Sequence, residues 1–505
     1  MLSDLKSKIK DIDKAPCIAV FGTGSEVGKS IVATALCRYF ANRGISVAPF
    51  KAQNMSNNSG ITPEGLEMGR AQIVQAEAAR VPPHVNMNPV LLKPTSEVGS
   101  QVVLLGEILE NNTAVEFQTK KEHLFSMSCS ALDRLRRKYD LIIMEGAGSC
   151  AEVNLMQHDI VNFRMAEYAG ANVILVADIH RGGVFGQIVG TLECLSRKQR
   201  NQIKGFIINR FRGDISLFKE GIKWLEKKTD KKVFGVLPWF NHINIEAEDS
   251  VVIENLPVFS KKKCKSPAIA VIRIPHISNF TDFDPISSLK GVDLYFIEKP
   301  QDLRPFKAVI LPGSKNTRSD LKWMNKREWS KRLKEFAEQG GHILGICGGF
   351  QMLGHYVHDP DGLEGVPGKE KGLSLLPVET VLKVPKTTTL TGFSWQDVAG
   401  TGYEIHMGYT KRLEGSPMFK ILEQNRKPCK KEDGCTARNS RIMGTYIHGL
   451  FDTPGITKLW LNSIGLGGIE VSKTHGFIAR DKQYDLLADH FEKYIDTDLI
   501  LKIED

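Results

Sequence analysis

Two α/β domains in series are predicted for this 505-residue chain by three features of its sequence. Short apolar segments alternate with helix-length segments twice over, the pattern of a parallel sheet with crossover helices. A basic, proline-ended run, Phe259-Ser260-Lys261-Lys262-Lys263-Cys264-Lys265-Ser266-Pro267, separates the two series and reads as a linker. Each half also carries a glycine-rich turn directly after an apolar strand, the place where open α/β sheets bind ligands. The expected division is residues 1–258, a linker at 259–267, and residues 268–505.

In the first half, strands are expected at Cys17 to Phe21, Val47 to Phe50, Leu141 to Met144, Val173 to Ala177, Gly205 to Ile208 and Val233 to Leu237. In the second, Ile269 to Ile274, Leu294 to Ile297, Ala308 to Leu311 and His342 to Ile346 repeat the logic. A strand-rich, glycine-rich stretch then runs to about Gly449. No short-period repeat or low-complexity segment interrupts either series.

The first glycine-rich turn is a phosphate loop. Gly22-Thr23-Gly24-Ser25-Glu26-Val27-Gly28-Lys29-Ser30 follows a strand and opens a helix, so its backbone amides and the helix N-terminus can cradle phosphates. Gly24 and Gly28 let the backbone approach, Lys29 reaches the terminal phosphates, and Ser30 offers a hydroxyl to Mg²⁺. Five residues rather than four separate Gly22 from Gly28, which marks a variant loop. Magnesium also needs a carboxylate, and Glu145 ends an apolar strand in the crevice, before Gly146-Ala147-Gly148. Lys51 opens a dense run of amides and hydroxyls, Lys51 to Ser59, suited to a nucleotide or to a carboxylate- and amide-rich substrate, though an ordinary Asx-rich turn reads the same way. Asn209 and Arg210, after the strand Gly205 to Ile208, could face a nucleotide base.

The second turn, Gly345-Ile346-Cys347-Gly348-Gly349-Phe350-Gln351, puts a thiol on a glycine-pinched strand-to-helix elbow. The new helix's free N–H groups favour negative charge on sulfur and on the oxyanion of an attacked carbonyl. Cys347 therefore reads as an exposed, reactive acyl-transfer nucleophile; the plainer reading is a small buried hydrophobe.

Bulk properties exclude several classes. With 42% hydrophobic and 25% charged residues the chain is neither disordered nor membrane-spanning. Its net charge of +9 is modest, and its basic residues are not interleaved with aromatics, so nucleic acid is not an expected partner. Nine cysteines without a C-x-x-C pair, and a charged N-terminal stretch, point to reduced thiols in a cytoplasm. Cys429 and Cys435 read as incidental thiols on a polar loop.

Both halves resemble the cobyric acid synthases, glutamine-dependent amidotransferases of cobalamin biosynthesis. The phosphate loop resembles that of dethiobiotin synthetase-like ATPases. The segments Ala48 to Ser56, Met87 to Pro94, Ser100 to Val103 and Ala177 to Phe185 look like the cobyric acid branch. Leu311 to Thr317, the Cys347 elbow, Gly402 to Gly408 and Gly444 to Phe451 resemble its class I glutamine amidotransferase domain. The resemblance implies that Cys347 attacks glutamine, that His448 is its base, and that N–H groups near Gly313 and Gly348 form the oxyanion hole. It further implies an ATP- and Mg²⁺-dependent conversion of the b, d, e and g carboxylates of adenosylcobyrinic acid a,c-diamide to amides. One departure matters: many class I domains carry Glu two residues after this histidine, where Leu450 stands here. Something else must orient His448, or glutaminase activity stays weak until the synthetase site fills. The rivals are an a,c-diamide synthase and a non-catalytic ATP-binding regulatory module.

Overall fold

The computed structural model describes residues 14–94, 99–240, 242–246, 259 and 266–501, with the side chains of 110–119 and 501 left out. Most of the expected linker, residues 260–265, lies outside the described residues.

Six strands, β1 (Cys17–Gly22), β2 (Val47–Phe50), β3 (Leu141–Glu145), β4 (Asn172–Asp178), β5 (Ile203–Phe211) and β6 (Lys232–Pro238), form one sheet in the order β6-β5-β4-β1-β3-β2. All pairings are parallel. β1, β2 and β3 are buried along their whole length, which explains why they read as continuous apolar runs rather than alternating ones. The strand order reverses around β1, and helix α1 (Lys29–Asn42) starts there. The phosphate loop and the carboxyl end of β3 consequently share one crevice.

After β2 the chain adds a four-stranded sheet, Gln53–Met55, Val90–Pro94, Gly99–Leu104 and Glu107–Thr113, and a helix α2 (Arg70–Ala78). This insertion faces the second domain, so it is the part of the first domain that can join two sites.

The second domain is built on β7 (Ala268–Ile272), β8 (Asp293–Ile297), β9 (Phe306–Leu311), β10 (His342–Ile346), β11 (Cys435–Ala437) and β12 (Ile442–Thr445), in the order β8-β7-β9-β10-β12-β11. Only β11 runs antiparallel. The short helix α3 (Gly348–Leu353) follows β10. A five-stranded antiparallel sheet realises the glycine-rich stretch, and its edge pairs Tyr403 with His448.

The chain order hides one return. Helix α4 (Phe477–Tyr494) packs on α1 rather than in the second core. Tyr484, Leu487, Phe491 and Ile495 share a cluster with Ile18, Val20, Leu36 and Phe40. Arg38, on α1 and fully buried, is ion-paired to Asp481 and Asp485 of this helix. By packing, residues 477–495 belong with the first sheet.

Candidate active sites

In the first domain, one buried carboxylate organises the crevice. Glu145, 2% exposed, accepts from Ser30 Oγ at 2.8 Å and from Lys51 Nζ at 3.0 Å through one oxygen, and from the Gln75 amide through the other. Lys29 Nζ donates to the carbonyls of Gly24 (2.9 Å) and Gly148 (2.8 Å), curling over the loop. Gly28 adopts φ +100°, and a Cβ there would lie 2.0 Å from Asn209 Nδ2. Asn209 donates that amide to the Val27 carbonyl at 2.9 Å, so it braces the loop from behind. Arg210 pairs with Asp178 at 2.9 Å and lies near the ring of Trp239. The Ser30 hydroxyl and Glu145 carboxylate are hard oxygen donors at the end of the phosphate loop, a pair that suits Mg²⁺, which binds few protein ligands and keeps waters. Among the described residues no cluster of three His, Cys, Asp or Glu offers a fuller metal cage.

In the second domain, Cys347 occupies the elbow between β10 and α3 with φ +53° and ψ −110°, a conformation rare for a side-chain-bearing residue. A neighbouring strand and the following helix hold it there: Cys347 N donates to Thr445 O at 2.8 Å, and Cys347 O accepts from Gln351 N of α3 at 3.1 Å. Contrary to the expectation of exposure, Cys347 is only 5% exposed. Its Sγ lies 3.4 Å from the Ile405 carbonyl, and Lys93 of the first domain helps to wall the cavity in front of it. The elbow projects the thiol as the glycines dictate, but into a small cavity lined mainly by its own domain and, from the other, by Lys93.

His448, 1% exposed, meets this cavity from the neighbouring sheet. Its Nδ1 lies 2.6 Å from Asp282 Oδ2, while Asp282 Oδ1 accepts the Gly449 N–H at 3.0 Å. Asp282 is thus the orienting group that Leu450 cannot be, and Leu450 itself is buried among apolar residues. Burial alone would push the His448 imidazole down. The Asp282 carboxylate and Cys347, both within bonding reach, outweigh it and hold the histidine up at about 10. A charged imidazole beside the sulfur stabilises the negative charge that develops there. The Tyr403 ring stacks on the histidine at 5.3 Å between centroids, fixing its plane.

Gly348 follows the nucleophile directly, and Gly313 lies against its histidine. A Cβ on Gly313 would stand 3.1 Å from His448 Cε1, and one on Gly348 would stand 2.7 Å from Ser314 N. A side chain at Gly348 would press on the Ser314 backbone, and one at Gly313 on Ser278 and the His448 ring, so both positions are held close by their neighbours.

Sequence reading brought together Cys347, His448, Gly313 and Gly348 in one site, and Lys29, Ser30, Lys51 and Glu145 in the other. It missed Asp282, Gln75 and Tyr403. Asp282 sits on a one-turn 3₁₀ helix, Phe280–Phe283, 166 residues before its partner. An acidic residue between two phenylalanines soon after the first strand of the domain was its only signal.

A buried Cys-His-Asp constellation at a nucleophile elbow, joined to a phosphate-loop sheet, defines a glutamine amidotransferase fused to a nucleotide-binding domain. Family models agree: residues 18–252 match the CobQ/CobB/MinD/ParA nucleotide binding domain and residues 268–455 the CobB/CobQ-like glutamine amidotransferase domain. The chain is 47% identical over 491 residues to the cobyric acid synthase of Chlorobium phaeobacteroides, covering 96% of each. It is 48% identical over 494 residues to that of Chlorobaculum tepidum (96% of this chain, 97% of the relative) and 44% identical over 487 residues to that of Chloroflexus aurantiacus (94% and 96%). The chain belongs to the cobyric acid synthase family, glutamine-dependent amidating ligases of cobalamin biosynthesis.

Proposed function

We propose that this protein converts the b, d, e and g carboxylates of adenosylcobyrinic acid a,c-diamide to carboxamides, using ATP and ammonia drawn from glutamine. The observation that carries this reading is the joining of the two sites by one segment. Lys51, at its start, is bonded to Glu145, and the Ser59 carbonyl, at its end, accepts from the Tyr403 hydroxyl at 3.4 Å beside His448.

In the first site, Lys29 and the loop amides hold the triphosphate while a substrate carboxylate oxygen attacks the γ-phosphorus and ADP departs. Ser30 and Glu145 would hold Mg²⁺, which neutralises charge on the phosphates. The step is positioning and electrostatics, with no covalent enzyme intermediate. In the second site, Cys347 Sγ bonds to the glutamine carboxamide carbon and His448 gives its proton to the leaving nitrogen, releasing NH₃. N–H groups near Gly313 and Gly348 stabilise the oxyanion, a contribution of about 3 kcal/mol per donor. Water then cleaves the thioester to glutamate, with His448 taking the proton. The NH₃ lone pair attacks the acyl phosphate, phosphate leaves, and one proton is lost. Reduced cysteines fit a cytoplasmic setting.

The test is incubation of the full chain with ATP, Mg²⁺ and either glutamine or ammonium chloride, each with the a,c-diamide corrinoid and with the unamidated corrinoid. Amidation of the a,c-diamide supports the reading. Reaction confined to the acetate side chains of the unamidated corrinoid would overturn it in favour of the a,c-diamide synthase.

A further inference from the structure

The cavity in front of Cys347 is not lined by the amidotransferase domain alone. Its wall includes Lys315 and Lys386 of that domain and Lys93 of the nucleotide-binding domain. Behind this wall sits Glu67, 1% exposed. Glu67 Oε1 accepts from Lys93 Nζ at 2.7 Å and from Ser59 Oγ at 2.8 Å, and Oε2 accepts from Lys386 Nζ. Lys315 Nζ donates across the same boundary to Gln101 Oε1 at 2.9 Å. One buried carboxylate therefore grips an ammonium from each domain at the rim of the chamber where ammonia is released. Burial would push Glu67 up, but Lys386 and Lys93 together hold it well below the usual carboxylate range.

Such a cluster is an expensive way to stabilise an interface, since apolar side chains of similar volume serve as well. Its location suggests what it does instead. Ser59, which bonds both Glu67 and Lys93, donates its N–H to Asn279 Oδ1 at 3.0 Å, three residues before Asp282. Its carbonyl meets Tyr403, stacked on His448. Eight residues upstream of Ser59 stands Lys51, which is bonded to Glu145.

We propose that Glu67, clamped between Lys93 and Lys386, is a positioning residue that couples the two half-reactions by sealing the Cys347 chamber against bulk water and aligning it with the insertion that leads to the synthetase site. The proposal rests on the functional reading above. Lys93 and Gln101, from segments that resemble the cobyric acid branch, thereby gain a role at the domain boundary.

The test uses the full-length E67Q and K386M variants with ATP, Mg²⁺, the a,c-diamide corrinoid, unlabelled glutamine and ¹⁵N-ammonium in the medium. Wild type should form about one glutamate per amide and incorporate little ¹⁵N. Both variants should keep ammonium-supported amidation within about twofold while glutamate per amide rises at least about fivefold and ¹⁵N enters the product. E67D should restore part of the coupling. A ratio near one, without ¹⁵N entry, in the variants would overturn the proposal. K386M leaves Glu67 paired to Lys93, so it decides the matter if E67Q does not fold. Failure of wild type to amidate the corrinoid from either nitrogen source would instead overturn the functional reading.

Discussion

Replacing Asp282 with Asn removes the charge that orients His448 while keeping the side chain's shape. In the wild-type fold His448 is fully enclosed, and burial alone would depress it below its ordinary 6.5; it is instead held at about 10 by Asp282 and Cys347. Deleting the carboxylate's charge-assisted bond, worth about 1.5–3 kcal/mol, should slow glutamine hydrolysis by roughly 10- to 100-fold. The sign of the pH effect follows from the same contact. A carboxylate favours the imidazolium, so its loss lowers the histidine's pKa, and the alkaline limb of the glutaminase profile, set by loss of that proton, should move from near 10 toward neutrality. Glutamate release measured against pH reads this directly, while amidation from ammonium chloride, which bypasses the site, should stay within about twofold. An unchanged glutaminase rate and alkaline limb would refute the orienting role of Asp282. Equal loss of ammonium-dependent amidation would show a general folding defect.

Further consequences are open to measurement. Cys347→Ser should abolish glutamine-supported amidation and leave ammonium-supported amidation intact, as assayed by product analysis under both nitrogen sources. Gly313→Ala would place a methyl 3.1 Å from His448 Cε1 and 2.9 Å from Ser278 Oγ, so glutaminase kcat/KM should fall at least about tenfold with little change in the synthetase reaction. Glu145→Gln removes the carboxylate shared by Ser30 and Lys51, and both glutamine- and ammonium-supported amidation should drop by about 100-fold or more, with a raised Mg²⁺ requirement in titrations. Replacing Asp481 and Asp485 together by Ala leaves the fully buried Arg38 without its ion pairs, which should cost about 3 kcal/mol in denaturant unfolding.

What the sequence made legible was what local physics makes contiguous. The phosphate loop and the cysteine elbow each pack strand, glycine turn and helix into about ten residues, so both chemistry and placement could be read directly. Glu145 was readable for a related reason: a carboxylate ending an apolar strand points into the crevice of a parallel sheet. Asp282 was not, because the contact that defines it spans 166 residues and its 3₁₀ turn carries no periodicity. The burial of Cys347 was equally hidden, since the covering residues Ile405 and Lys93 come from a distant strand and from the other domain. Helix α4 has a mixed pattern compatible with many partners, and only tertiary packing decides that it lies on α1.

Two sites in one chain should divide the work, one activating carboxylates and the other supplying ammonia. Mass spectrometry of the a,c-diamide corrinoid after incubation with ATP, Mg²⁺ and glutamine tests it most directly, with the Cys347→Ser variant and ammonium chloride in parallel. Four successive mass decrements, each the exchange of a hydroxyl for an amino group, are expected in wild type with either nitrogen source and in the variant with ammonium alone. A corrinoid unchanged in mass under every condition, or a variant that amidates from glutamine, would contradict it.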